Sequence, residues 1–397
     1  MQDEYNALQS TGTWSLVPFN SHQNIVGCKW VFRVKKHPNG TIDQYKARLV
    51  AKSFHQQAGL DYKETFSPVA KPVPIRILLS LAVQYDWFLN QLDISNVFLH
   101  GNLQEDVYKQ QPPVFKSLGF HQSQSDASLF VIQAPVLVIV LEYVDDILVT
   151  CPNPAACQTF IQKQSTIFPV KDLGLLHYFL GLEVQRSSAG LFLHQSKYIL
   201  DLLQKTHMAG AKPCLTFLGS IKLDHTGPLL PDPQEYRSIV GALQYLTWTR
   251  PDLSFAVNQV CQFMHAPREP HIQAAKRILR FLKDIMSHGL WFKKGDIHLI
   301  AYSDADWADC LFDRQSTSGY CIFLGSNLIS WSAKKQPMVA RSSTEAEYRS
   351  LAHTTTEITW ICKVFKDLCE IPPPEFHHSL RISNFKFVFR NYVIFIS

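Results

Sequence analysis

Between Cys28 and Lys52 apolar and basic positions alternate: Trp30, Phe32 and Val34 are interleaved with Lys29, Val31, Arg33 and Lys35. A period of two predicts strands, and Pro38-Asn39-Gly40 supplies a turn between them. The return strand carries Tyr45, Lys46, Arg48 and Lys52, so one face of the hairpin is apolar and the other basic. Prolines at 68, 72 and 74 close this section. Ile75, Leu78, Leu79, Ala82 and Val83 then fall at helical spacing, and residues 87–94 predict a strand with Asp93 near its end. Strands are expected over 128–140 and 147–149, a short helix over 155–165, and a strand pair over 176–184 and 190–199. Residues 208–235 are rich in Gly and Pro and predict a linker. Helices follow over 236–246 and 270–282, with Ile239, Leu243 and Leu246 on one stripe and Ile272, Ala275, Ile278, Leu279 and Leu282 on the other. Beyond His298 three short strand-like runs precede a long helix over 342–368. Ser342 with Glu345, and Thr344 with Glu347, have capping-box spacing at its start.

The same pattern limits the classes open to the chain. The most apolar run, Leu129 to Leu141, is broken by Gln133 and Pro135 and is too short to span a bilayer. No secretory signal opens the chain. Nine scattered cysteines without a C-x-x-C pair predict reduced thiols and neither a disulfide framework nor a zinc site. A soluble intracellular protein of two or three domains is expected from 397 residues. The formal charge is only +5, but seven basic residues lie between Lys29 and Lys52 and seven between Arg268 and Lys294. Such clusters are either solvated faces or contacts for a polyanion.

The candidate chemistry centres on Leu141–Thr150, LEYVDDILVT. Two adjacent aspartates interrupt strand-forming residues, with no Gly, Pro, Asn or Ser beside them. Charge at the apex of an apolar hairpin is unfavourable unless something neutralises it. A divalent ion would, and Mg²⁺ prefers carboxylate oxygens while keeping sites for water and phosphate. Asp93 is the natural contributor from a second segment. On the residues alone, a metal site and a structural turn both stay open.

Further motifs carry a resemblance: GCKWVFRVK (27–35), YKARLVAK (45–52), DYKETFSPV (61–69), QLDISNVFLHG (91–101), YVDDILV (143–149), KDLGLLHYFLGLEV (171–184), YRSIVGALQYLTWTRPDLSFAVN (236–258), SDADWA (303–308), ISWSAKKQ (329–336) and RSSTEAEYRSLA (341–352). In this order they resemble the reverse transcriptase of plant Ty1/copia-type retrotransposons, followed by the start of its ribonuclease H domain. The resemblance covers residues 14 to 370. It implies an α+β fold: a right-hand polymerase with fingers, palm and thumb, then a partial ribonuclease H-like α/β domain. Fingers and palm would occupy 14–200, thumb and connection helices 201–295, and the nuclease-like part 296–370. An apolar tail, 371–397, resembles nothing in the family.

The resemblance also implies roles. Asp93 and Asp145 match the metal-bridging aspartates of the palm, and Asp146 the second aspartate of the YxDD hairpin. Phe98 matches the steric gate beneath the incoming sugar, with a core phenylalanine as the alternative. Lys46, Arg48 and Lys52 match the basic strand over the triphosphate. Phe179 and Gly181, around Leu180, match the primer-grip turn. Lys171 matches a lysine that protonates pyrophosphate, or is a surface lysine. Asp304 and Glu347 match the first two nuclease carboxylates, while Asp306 has a loop role by default. Implied cofactors are two Mg²⁺ ions at the polymerase site, with Mn²⁺ as a substitute. Implied partners are an RNA/DNA primer-template, deoxynucleoside triphosphates and the rest of the retrotransposon polyprotein, with no membrane. Implied locations are a cytoplasmic virus-like particle or the nucleus.

Two departures from the family pattern stand out. VYKQQPPVF (107–115) runs straight into KSLGFHQSQSD (116–126), without the family's intervening LYGLKQxPRxW-type segment. After Glu375 there is no Asp or Glu to complete a four-carboxylate nuclease site. The expected function is therefore an RNA-directed DNA polymerase in degenerate or truncated form. The alternatives are a non-catalytic nucleic-acid-binding remnant and an inactive gene relic.

Overall fold

The computed structural model describes residues 28–36, 42–51, 71–94, 119–133, 136–143, 146–165, 170–219, 223–310, 312–368, 375–376 and 381–382. Strands β1 (Cys28–Lys36) and β2 (Ile42–Ala51) form the expected antiparallel hairpin, pairing Trp30 with Leu49, Phe32 with Ala47 and Val34 with Tyr45. Phe32 and Tyr45 are exposed.

The central element is a six-stranded antiparallel sheet in the order β4-β5-β6-β7-β3-β8, built from β3 (Phe88–Ile94), β4 (His121–Gln122), β5 (Leu129–Ile132), β6 (Val138–Tyr143), β7 (Asp146–Cys151) and β8 (Val170–Leu175). The strand expected over 128–140 is two strands. Gln133 and Pro135 lie between them, and β5 folds back on β6. Both sheet faces are covered, so the strands are apolar without alternation. Ile139, Leu141, Leu148 and Leu89 enter one core with helix α1 (Pro72–Gln84). Val138, Val140, Ile147 and Val149 enter another with Cys157, Phe160 and Ile161 of α2 (Pro154–Ser165). Cys151, ending β7, is disulfide-bonded to Cys157 in α2, where the sequence led us to expect free thiols.

Helix α1 is buried from Val73 to Val83, including Arg76. Arg76 donates to the carbonyls of Ile329 and Trp248, both at 2.9 Å, and its guanidinium lies 3.6 Å from the Trp331 ring centroid. Burial pulls its pKa down to about 9, against the opposing effects of Tyr320 and Glu357. This one side chain ties the six-stranded sheet's main helix to the rest of the molecule.

A four-stranded antiparallel sheet follows, in the order β12-β11-β10-β9: β9 (Tyr178–Phe179), β10 (Leu182–Ser187), β11 (Gly190–His194) and β12 (Gly289–Phe292). The strand expected over 190–199 ends at His194, because helix α3 (Ser196–Lys205) begins there and buries Ile199, Leu202 and Leu203. Those residues join the core of a bundle with α4 (Pro233–Leu246), α5 (Ser254–Cys261) and α6 (Glu269–Asp284). Asp232 caps α4 by accepting the Gln234 N–H at 2.8 Å, with Pro233 in the first turn. Ahead of α5, the Arg250-Pro-Asp252 stretch folds on itself: the buried Arg250 guanidinium donates to both carboxylate oxygens of Asp252, at 2.9 and 2.6 Å.

The linker between α3 and α4 runs back along α6. Lys283 donates to the carbonyls of Ala209 and Ala211, Arg280 to Lys212, Arg277 to the Thr216 hydroxyl and Arg268 to the Gly227 carbonyl. The basic cluster over 268–294 is thus largely committed to holding the linker. The sequence left this cluster open as a solvated face or a polyanion contact, because a backbone carbonyl partner leaves no sign there.

The last sheet orders β15-β14-β13, from β13 (His298–Ala305), β14 (Thr317–Leu324) and β15 (Asn327–Lys335), all antiparallel. Helix α7 (Ser343–Asp367) lays Ile358, Ile361, Val364 and Phe365 against it. Two short strands of the tail, β16 (Glu375–Phe376) and β17 (Arg381–Ile382), pair parallel with β13. Asp367 near the end of α7 accepts from the Ser123 hydroxyl at 2.6 Å and the Ser125 N–H at 3.0 Å, fastening α7 to the loop before β5. Among the described residues no helix is long and apolar enough to cross a membrane.

Candidate active site

Strands β6 and β7 pair Tyr143 with Asp146, which leaves Val144 and Asp145 as the tip of the hairpin in sequence. Those two lie outside the described residues, as do Lys52 and Phe98. Across the sheet, Asp146 pairs with Asp93 of β3, and Asp93 pairs in turn with Lys171 of β8. Directly opposed residues on antiparallel strands share a face, with Cα atoms about 4.5–5.5 Å apart. Three of the residues singled out in the sequence therefore form one row across three strands. The row lies on the α1 side of the sheet, the side to which Leu141 and Leu148 also point.

Two like charges at opposed positions repel, and a cation beside them offsets this. Lys171, exposed on the third strand, supplies one such charge. Glu142 pairs with Ile147, so alternation sends it to the other face, away from Asp93 and Asp146.

Gln91 was missed. It lies two residues before Asp93, hence on the same face, and is only 5% exposed. Its Nε2 donates to Asp146 Oδ1 at 3.4 Å, and its Oε1 is buried without a hydrogen-bond partner. The period-two rule applied outward from Asp93 would have found it.

The turn between β9 and β10 pairs Phe179 with Leu182, leaving Leu180 and Gly181 at its tip with φ of 51° and 75°. Two positive φ values define the tight hairpin turn that fits strand twist. A Cβ on Gly181 would fall 2.7 Å from the Tyr245 hydroxyl oxygen, so α4 closes over the turn. Phe179 is buried in the core, where it anchors the turn. Lys46 and Arg48 lie on β2, at the positions paired with Arg33 and Val31.

A second carboxylate pair sits between β13 and α7. Asp304 is 8% exposed, and Glu347 shares a hydrogen bond with it. Burial, then the Asp304 carboxylate, pushes Glu347 up to about 7; the Ala305 N–H works the other way. Of the two capping boxes expected at the start of α7, Ser342 accepts the Glu345 N–H at 3.1 Å. Glu347 turns instead toward Asp304. Asp306 is occupied in the loop, accepting from the Thr317 N–H at 3.0 Å and the Asp309 N–H at 3.3 Å. Strand β17 pairs Ile382 with Ser303, next to Asp304. Among the described residues no group of three or more His, Cys, Asp or Glu converges as a metal site.

The family model described as reverse transcriptase (RNA-dependent DNA polymerase) matches residues 11–119 and 113–219. The two matches meet where the sequence lacks its expected segment. The chain is 48% identical over 407 aligned residues to the retrovirus-related Pol polyprotein from transposon RE1 of Arabidopsis thaliana, covering 93% of the chain and 28% of the relative. It is 35% identical to the Pol polyprotein from transposon TNT 1-94 of Nicotiana tabacum, covering 93% and 31%. It is 30% identical to the putative transposon Ty5-1 protein of Saccharomyces cerevisiae, covering 67% of the chain and 100% of the relative. The chain spans less than a third of the length of the two Pol polyproteins. The RE1 alignment is longer than the part of this chain it uses, so RE1 holds residues that this chain lacks. With the motifs, the mixed α+β fold and these matches together, the chain belongs to the reverse transcriptase family, in the Ty1/copia-type Pol lineage.

Proposed function

We propose that the chain is the RNA-directed DNA polymerase part of its lineage, kept in degenerate form. In this reading the six-stranded sheet is the palm, the β1–β2 hairpin belongs to the fingers, the α3–α6 bundle is the thumb, and β13–β15 with α7 are a partial ribonuclease H-like unit. The observation that carries it is the row Asp146–Asp93–Lys171 across adjacent strands.

The donor set fits hard divalent cations. Carboxylate oxygens come from two neighbouring strands, and Gln91 orients one of them. Asp93, Asp145 and Asp146 would hold two Mg²⁺ ions, or Mn²⁺ in their place. Bound there, such ions lower the pKa of a primer 3′-hydroxyl and neutralise charge on the phosphates. The chain's own groups do the rest. Lys171 stands in the row, where an ammonium stabilises or protonates a departing pyrophosphate. The Leu180-Gly181 turn, fixed by Tyr245, is a rigid rest for the primer end. By the family resemblance, Lys46, Arg48 and Lys52 would contact the triphosphate and Phe98 its sugar. Asp304 and Glu347 would be two of the four carboxylates a nuclease of this type uses.

Degeneracy rests on the missing segment between residues 115 and 116. The test is extension of a primer on an RNA template with deoxynucleoside triphosphates. The chain should extend weakly, Asp145→Asn should abolish the signal, and inserting the corresponding RE1 segment at 115/116 should raise it by about tenfold or more. Salt-sensitive duplex binding without extension, before and after the insertion, would make the chain a non-catalytic binder.

A further inference from the structure

An open cleft of about 560 Å³ lies at the far end of β3 from Asp93. Phe88, on its wall, is five residues from Asp93, about 17 Å along an extended strand. One wall is the end of α1 and the start of β3, with Trp87 and Phe88; Leu175 adds apolar surface. The opposite wall is the β10–β11 turn with Arg186, and Lys293 and Lys294 follow β12. Gly190 lets this wall close up: its φ is +131°, and a Cβ there would meet the Phe292 carbonyl oxygen at 2.1 Å.

The charges are not internally matched. Lys294 pairs with Asp86. Arg186 reaches only the Leu89 carbonyl, at 3.5 Å, the limit of a hydrogen bond. The Lys293 ammonium lies 5.6 Å from the Trp291 ring centroid. Among the described residues no carboxylate pairs with Arg186 or Lys293. The Leu81 and Ala82 carbonyls at the end of α1 are already taken by the Tyr85 and Trp87 N–H groups, so they do not compete for these cations.

We propose that this cleft binds a nucleotide, with its base on Trp87 and Phe88 and its phosphate between Arg186 and Lys293. The size falls in the range of small-ligand sites. Flat aromatic surface and paired cations together select a ring joined to a phosphate, by stacking and by charge-assisted hydrogen bonds. The Ser187 hydroxyl is engaged within its own turn, so the site carries little to read base edges, and the four bases should bind alike. The ligand is either a free nucleotide or the 5′-terminal nucleotide of a single strand. The site is separate from the carboxylate row and does not depend on the polymerase reading.

The test is equilibrium binding to the full chain without divalent cations. Probes are deoxyadenosine, dAMP, and a short oligodeoxythymidylate with or without a 5′-phosphate. Expected is a preference of about tenfold or more for the phosphorylated member of at least one pair, lost in Arg186→Glu and in the milder Arg186→Gln with Lys293→Gln. Asp93→Asn should leave it unchanged. A phosphate preference confined to the oligonucleotide pair assigns the site to strand ends; one in both pairs assigns it to nucleotides generally. No phosphate preference in either pair, binding that survives both charge changes while the variants melt like the parent, or binding lost in Asp93→Asn would each overturn the proposal.

Discussion

Asp93 and Asp146 face each other across β3 and β7, on the same side of the sheet. They are 53 positions apart in the chain, and the antiparallel register alone brings them together. A shift of one residue in either strand would send one of them to the opposite face, among Ile147, Val149 and Phe160. The burial of both sheet faces forbids that shift, because it would also expose an apolar set to the wrong core. The core thus specifies the position of the carboxylates.

Gly181 is a position where a methyl group is poorly tolerated. Its φ of 75° and the Tyr245 hydroxyl both exclude a side chain. Gly181→Ala should destabilise the protein by about 1–3 kcal/mol. Tyr245→Phe should recover part of this, since it removes the clashing oxygen and leaves the backbone strain. Denaturant melts of the single and double variants measure the coupling between α4 and the turn.

Arg76 holds two buried carbonyls from separate parts of the molecule. Arg76→Ala leaves both unpaired and opens a cavity beside Trp331, so a loss of about 3–5 kcal/mol is expected. Urea unfolding checks it. Arg76→Lys should fall between, because an ammonium reaches one carbonyl more easily than two and cannot stack flat on the indole.

His271 gives the bundle an acid limit. Its Nδ1 accepts the Arg268 N–H at 3.0 Å, and its Nε2–H donates to the Asp224 carbonyl at 2.7 Å, which requires the neutral ring. Burial holds its pKa below the ordinary 6.5. The unfolded chain therefore takes up this proton first as pH falls. Stability from His271 is present above 6.5 and lost as pH drops through the lower folded value. Thermal melts between pH 7.5 and 4.5 should decline, and less steeply in His271→Gln.

Glu347 titrates the other way. Its pKa is raised to about 7, so the folded protein binds a proton that the unfolded chain releases near 4.5. Stability falls as pH rises through that window. Glu347→Gln should therefore melt higher than the parent at pH 8, by about 1 kcal/mol allowing for partial exposure, and equally at pH 4. A divalent cation bound by Asp304 and Glu347 would stabilise the parent and shrink the difference.

Where local pattern sufficed, the sequence was readable. The β1–β2 hairpin, α1, α2, α4, α6, α7 and β13–β15 follow from periodicity and, for α7, the Ser342 cap. Helices α3 and α5 were hidden. The first begins within an apolar run that continues from β11, and the second follows directly on the Arg250–Asp252 turn. The site was half legible. Asp93 and Asp146 stood out as charges in apolar strands, whereas Gln91 and Tyr245 act through contacts with partners 55 and 64 positions away. The partners of the α6 cations were hidden for the same reason. Arg280 and Lys283 bind linker carbonyls that any residue type could have supplied.

Manganese binding tests the carboxylate row most directly, because it needs no turnover. Free Mn²⁺ can be counted by electron paramagnetic resonance in an Asp304→Asn, Glu347→Gln background, which removes the second carboxylate pair. The row at Asp93 and Asp146 predicts saturable binding that Asp93→Asn weakens by about tenfold or more, with the fold intact by circular dichroism. Equal binding before and after Asp93→Asn, or none at all, would contradict a shared site on these two strands.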